Sequence, residues 1–335
     1  MNSKISIFSM IVSTVIGCFT LVVAGETDNY LSMDQQLTDA STVINTEFNS
    51  RIQFTLEQMN SENHFDYLEC AQVAGEILKS FGVSLATDFE SWVRFNDSIP
   101  KFPSGEKSRK YLFNHSIYDE KTWNPLHQYF DWMIKTQIDP VINIGGVYIG
   151  LDKITHFTAS GFLYYKTYQN GIKNGLSTYK AEYRAILNGI KSEKLLLGIC
   201  ANGIFSYADL ESNYQGLQLG IDLCSGETPV LKRNGSSWIM TQKIDLRKYV
   251  NSNWDESYNP CGGFHYKRPT LRTNLMNYCQ TFSTDIAKNR FDYYDSVFVN
   301  SHNMDLLDSL RTAGKIPDNR MNRLPEICIE FIQRP

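Results

Sequence analysis

The first two dozen residues constrain this chain most. From Ile5 to Val23 the sequence "ISIFSMIVSTVIGCFTLVV" carries no charge, follows Lys4 and leads into the small residues of "VVAGE". A basic start, an apolar run and a small-residue site make a secretory leader. Residues 1–24 are therefore expected to be a signal peptide cleaved after Ala24, and 25–335 a single exported domain. Two other readings stay open. "VIGC" at Val15–Cys18 looks like a lipobox, which would make Cys18 a lipidated N-terminus, although the "FTLVVAG" that follows stays apolar. The run is also long enough to be kept as a membrane anchor. All three readings put the rest of the chain outside the cytoplasm, periplasmic or secreted. They bring it to a membrane only through this segment.

Export bears on the cysteines. Without Cys18 six remain, Cys70, Cys200, Cys224, Cys261, Cys279 and Cys328, and an even number in an exported chain is compatible with disulfides of undetermined pairing. No C-x-x-C pair occurs, which argues against a zinc ribbon or a thioredoxin-type motif. Three N-x-S/T sequons, at Asn96, Asn114 and Asn234, would matter only in a eukaryotic secretory pathway. With 32 basic and 36 acidic residues the formal charge is −4. That balance gives no basic footprint for nucleic acid. A 42% hydrophobic content supplies ample core.

Beyond Glu26 the pattern is mostly helical. Val43, Ile44, Phe48, Ile52, Leu56 and Met59 form an apolar stripe of helical period, with Asp39 or Ser41 placed to cap it. Leu68, Val73, Ile77, Leu78 and Phe81 form a second stripe, stopped by Gly82. The stretch 98–118, with Pro100, Pro103 and four basic residues, reads as an irregular connection, and 123–137 as a helix ended by Pro140. "VINIGGVYIG" (141–150) reads as a hairpin about Gly145-Gly146, and 226–251 as a second hairpin about "NGSS". Helices are expected over roughly 152–169, 177–200 and 206–223, and again after Thr270. The expected fold is mainly α, a helical bundle with one or two short β-hairpins, with no linker dividing it and a motif core at about 141–224.

Two stretches in that core carry the chemistry. "GLDKITHFTASG" (150–161) sets Asp152 and His156 four apart, and "FSYADLESNYQG" (205–216) sets Asp209 and Asn213 four apart, each followed by a Gly. An i, i+4 pair shares a helix face, about 5–6 Å apart at Cβ. A carboxylate beside an imidazole can ligate a metal or orient the ring. A plainer reading makes both acids helix caps: Asp152 follows Gly150 at a strand–helix junction, and Ser206 with Asp209 gives S-x-x-D, close to a capping box. Capping leaves His156 and Asn213 unexplained.

The order "DKITHF", then Glu193 in "EKLLLG", then "DLESNYQG" resembles the motif set of VanZ-like proteins and of the related small envelope proteins of the YfiM type. The resemblance covers about 150–216 and marks Asp152, Lys153, His156, Glu193, Asp209, Asn213 and Gly216. It implies an envelope location and a shared polar site. VanZ-like proteins cross the membrane several times, whereas helix 152–169 here carries Lys153, His156, Lys166 and several tyrosines and is no spanning helix.

Three functions stand as expectations. One is an envelope-associated protein, binding or structural, whose polar site (Asp152, Lys153, Asp209, Asn213) takes an envelope component or a small polar ligand. Another is a metal-assisted hydrolase with His156 and Glu193 as catalytic groups, Asp152, His156 and Asp209 holding a divalent metal and Glu193 as general base. The third is a secreted effector or adhesion module acting through the flanks. Elsewhere, Asp255 and Glu256 are adjacent, point to different faces, and are expected in a solvated loop. Cys261 and His265 have a ligand-like spacing, but an exported Cys is more often in a disulfide. His64, His115, His127 and His302 stand alone. No G-x-S-x-G, H-E-x-x-H or phosphate-binding glycine loop occurs.

Overall fold

Asp39 starts the first long helix. Its carboxylate accepts the Ser41 N–H and hydroxyl at 2.8 and 2.9 Å, and α1 runs Ser41–Ser61 with Ile44, Phe48, Ile52, Leu56 and Met59 buried. The same carboxylate accepts the Gly145 N–H at 2.8 Å, so one acid ties the helix start to the tip of the first hairpin. This computed structural model describes residues 27–61, 68–83, 87–113, 115–118, 138–195, 203–265 and 268–332. The expected signal peptide, the expected helix at 123–137, His64, His127 and Cys200 lie outside them.

The second stripe forms α2 (Cys70–Ser80), and Gly82 follows it at φ +112°, a conformation glycine adopts without strain. Two short helices come next, α3 (Asp88–Phe95), which Thr87 caps, and α4 (Glu106–Phe113). The latter lies inside the stretch expected to be irregular. Pro100 and Pro103 both precede its first turn, so they break nothing, and Glu106 favours a helix start.

The hairpin forms as expected. β1 (Val141–Ile144) pairs antiparallel with β2 (Val147–Gly150), and Gly145 and Gly146 turn at φ +62° and +90°, as a two-residue turn of primed type demands. Every strand residue is buried. The chain then enters α5 (Asp152–Thr155), a π-helical turn (His156–Ser160) and α6 (Gly161–Lys173). Next come α7 (Thr178–Ser192) and a second π turn at 193–195. β3 (Ile204–Phe205) pairs with β6 (Gly262–Gly263), and α8 (Tyr207–Asp222) lies between them in sequence. The hairpin about Gly235 is β4 (Leu231–Asn234) with β5 (Ser237–Met240). The tail is helical: α9 (Arg268–Met276), α10 (Cys279–Phe282), α11 (Asp285–Ser296), α12 (His302–Thr312) and α13 (Leu324–Ile332). The fold is mainly α with short β-hairpins.

Two features of the packing hold the motif residues in place. α8 is buried on every side over its first three turns, from Tyr207 to Leu217 except at Gln215, so its polar residues must find partners inside the protein. An aromatic cluster supports its neighbour: Phe48 stacks on Phe81 at 4.4 Å and meets Phe157 at 6.2 Å, and Phe157 meets Trp254 at 5.5 Å. Burying a side chain of this size is worth roughly 1.5–3 kcal/mol, and here that packing fixes the residue next to His156.

Disulfides Cys70–Cys224 and Cys279–Cys328 join α2 to the end of α8 and α10 to α13. Such bonds persist in oxidising compartments outside the cytoplasm. No helix among the described residues is long and apolar enough to cross a membrane.

Candidate functional site

Lys153 is the centre. Its side chain is 0% exposed, and its ammonium lies 2.6 Å from Asp152 Oδ2, 2.7 Å from Asp209 Oδ1 and 2.9 Å from Glu256 Oε1. Burial alone would strip the ammonium of its proton, but Asp152, Asp209 and Glu256 outweigh it and hold the pKa well above the lysine value. A buried lysine is stable only in such company.

The carboxylates are held from several elements. Asp152 Oδ1 accepts the Thr27 hydroxyl at 2.7 Å. The close fit depends on Gly150, where a Cβ would fall 2.4 Å from Asp152 Oδ1. Glu256 Oε1 accepts the Ser206 hydroxyl at 2.8 Å and its Oε2 accepts the Tyr118 hydroxyl at 3.0 Å. Glu193 Oε1 accepts the Ser206 N–H at 2.9 Å. Burial and the charge of Asp209 push the Glu193 carboxyl well above the usual range, against the pull of Ser206 and Lys153. Burial also raises Glu256, against Lys153. For Asp209 burial pushes upward too, but the charges of His156 and Lys153 win and its pKa falls below the ordinary value.

His156 sits at the rim, 15% exposed, with Asp209 at 11%. Its Nδ1 lies 3.0 Å from Asn213 Oδ1, and with the amide in this orientation Nδ1–H donates to it. Its Nε2 lies 3.3 Å from Asp209 Oδ2. Two acceptors at that distance need something positive between them, a second ring proton or a metal ion. Lys153 approaches Asp209 Oδ1 off the line of a hydrogen bond, and that oxygen has no hydrogen-bond partner among the described residues. One atom each of Asp152, His156 and Asp209 lie within 4.8 Å of one another. Bonds of roughly 2.0–2.2 Å to a metal would draw this set slightly closer. The group could hold a metal ion.

The structure thus brings together Asp152, Lys153, His156, Glu193, Asp209 and Asn213. It also decides the capping question. The residue before α5 is Leu151, which makes no side-chain cap, and the Asp152 carboxylate is engaged by Thr27 and Lys153. Ser206 does cap α8 through the Asp209 N–H at 3.1 Å, while the Asp209 carboxylate faces Lys153 and His156. Both π turns begin at site residues, His156 and Glu193, and such turns recur at functional sites.

The expectation of a solvated loop at 253–266 is overturned. Asp255 is 0% and Glu256 1% exposed. They part ways as neighbours should, Glu256 to Lys153 and Asp255 to Tyr294 and Ser257, at 2.9 and 2.6 Å. Trp254 and Tyr258 beside them were the available signal, since aromatic flanks bury what they enclose. Cys261 is buried and His265 exposed, so these two do not form a ligand pair. His115 is exposed, and His302 is no lone residue: its Nδ1 lies 3.3 Å from Glu182 Oε2.

Comparison of the chain with protein-family models, curated proteins and solved structures finds no match.

Proposed function

We propose that this is an exported, envelope-associated protein that binds a divalent metal ion at Asp152, His156 and Asp209. The observation that carries the reading is the charge balance of the cluster. Asp152, Asp209 and Glu256 lie within 2.9 Å of the Lys153 ammonium, and Glu193 is buried at Ser206 beside them. Three carboxylates thus meet one ammonium, and buried charge of one sign is costly unless compensated. A dication at the rim, against His156 Nε2 and one carboxylate oxygen from each aspartate, would supply that compensation. A mixed nitrogen and carboxylate set suits zinc, manganese or iron more than calcium. The export leader, the two disulfides and the motif order shared with VanZ-like proteins support the envelope setting.

Metal-assisted hydrolysis of an envelope component is a second reading, favoured by the three-ligand count, which leaves positions open for water and substrate. In it Glu193, buried beside Asp209, would be the proton-transfer group. The test is metal content. Purified protein stripped with chelator and titrated with Zn2+ should take up one equivalent per chain, and Asp209→Asn and His156→Ala should each lose it. Folded wild-type protein that binds none leaves the cluster a structural network.

A further inference from the structure

How Asp152 is held ready for a metal is a question that rests on the metal reading. The last torsion of an aspartate is broad, so its carboxylate turns unless both oxygens are engaged. Here both are: Lys153 donates to Oδ2 at 2.6 Å and the Thr27 hydroxyl to Oδ1 at 2.7 Å. A carboxylate oxygen can accept twice, so each keeps a lone pair for a metal. Lys153 cannot set the plane by itself, because it also serves Asp209 and Glu256 and a single donor leaves a pivot. The Thr27 hydroxyl removes the pivot.

Thr27 comes from outside the motif core, 125 positions before Asp152. It is 0% exposed, and its segment is docked by bonds that do not involve Asp152. The Thr27 backbone bridges to Asp139. Asp28 accepts the Ile117 N–H and the Tyr278 hydroxyl, both at 2.8 Å, and the Asn29 amide donates to the Tyr148 carbonyl at 2.9 Å. β2 makes room for the pair: a Cβ on Gly150 would lie 2.6 Å from Thr27 Cβ and Oγ1 and 2.4 Å from Asp152 Oδ1. Gly150 ends a strand without a positive φ, so the glycine serves close approach rather than a turn. A valine at position 27 would fill the same space and keep the bridge to Asp139. Burial and backbone pairing therefore do not call for the hydroxyl.

We propose that Thr27 is a positioning residue of the metal site, its hydroxyl fixing the Asp152 carboxylate so that it ligates together with His156 and Asp209. The site is then completed by a segment that the paired motifs do not include.

The test titrates purified protein with Co2+, followed by its visible absorption, with thermal melting alongside. Thr27→Val and Thr27→Ala both remove the hydroxyl, one keeping the bulk and the other not. Each should weaken Co2+ binding by about tenfold, the lower end of the effect of outer-shell partners on metal affinity. Thr27→Ser keeps the donor and should bind as wild type does. Asn29→Ala loosens the same segment without touching Asp152, so it should lower the melting temperature and leave Co2+ affinity unchanged. Binding by Thr27→Val or Thr27→Ala as tight as wild type overturns this inference alone, because the bond is then only structural. A loss in Thr27→Ser or Asn29→Ala equal to that in Thr27→Val also overturns it alone, because the effect is then one of packing. Wild-type protein that binds no Co2+ overturns the metal reading and this inference with it.

Discussion

Gly161 and Gly216 meet face to face. A Cβ built on Gly161 would lie 2.7 Å from the Gly216 Cα, and one built on Gly216 would lie 2.0 Å from the Phe157 carbonyl oxygen. This contact explains why each paired motif ends in glycine. The backbones of α6 and α8 approach so closely that neither tolerates a side chain, and the approach brings His156 within reach of Asp209 and Asn213.

Gly216→Ala should therefore force the two helices apart. The obstacle is backbone, which cannot swing aside as a flexible side chain can, and overpacking of this kind costs about 1–3 kcal/mol or somewhat more. Urea denaturation measures it. A variant as stable as wild type would mean that α6 and α8 are not in this contact.

Lys153→Met should be among the most damaging single changes. It keeps the bulk of the stem but leaves Asp152, Asp209 and Glu256 facing one another without their cation. Breaking a buried pair by removing one partner costs about 3–5 kcal/mol. The loss should be read from denaturation midpoints, or from failure to accumulate as soluble protein. A loss below about 1 kcal/mol, the range of surface ion pairs, would show that the cluster is solvated.

Asp28, beside Thr27 and under the charge of Glu256, gives the fold a further pH signature. Burial raises its carboxyl from 3.8 to about 6, against the Ile117 N–H, the Tyr278 hydroxyl and the Tyr30 N–H. Because the folded pKa lies above the unfolded one, its contribution to stability is full below pH 3.8 and is lost as pH rises through 6. Asp28→Asn cannot ionise; its amide oxygen accepts from Tyr278 and Ile117 while its NH2 faces the Tyr30 N–H, a loss that does not vary with pH. Relative to wild type it should gain stability between pH 4 and pH 7, by up to about 3 kcal/mol from a shift of this size. Paired urea titrations at the two pH values test this, and a constant difference would contradict it.

The parts of this molecule legible in the sequence are those governed by local period. The stripes of α1 and α2, both hairpins and the pairing of Asp152 with His156 and Asp209 with Asn213 all follow from spacing within one element. α3 is only two turns long and gives little periodicity to read, and α4 was hidden by prolines that precede it. Glu256 was missed for a different reason. It reaches Lys153 from 103 positions away, and the flanking Trp254 and Tyr258 signalled its burial but not that partner.

The π turn at His156–Ser160 has a consequence for how this chain could vary. Such a turn is an α-helix holding one residue more than its hydrogen-bond ladder needs. Each residue of an α-helix advances about 100° around the axis. Deleting one residue from 156–160 would restore a regular helix and rotate everything before it by that angle relative to everything after it. Lys153 and His156 could then face Asp209, or Gly161 could face Gly216, but not both. The surplus residue lets one helix satisfy two neighbours that a straight one would have to choose between. Length in this segment should be less free to change than the identity of the side chains along it.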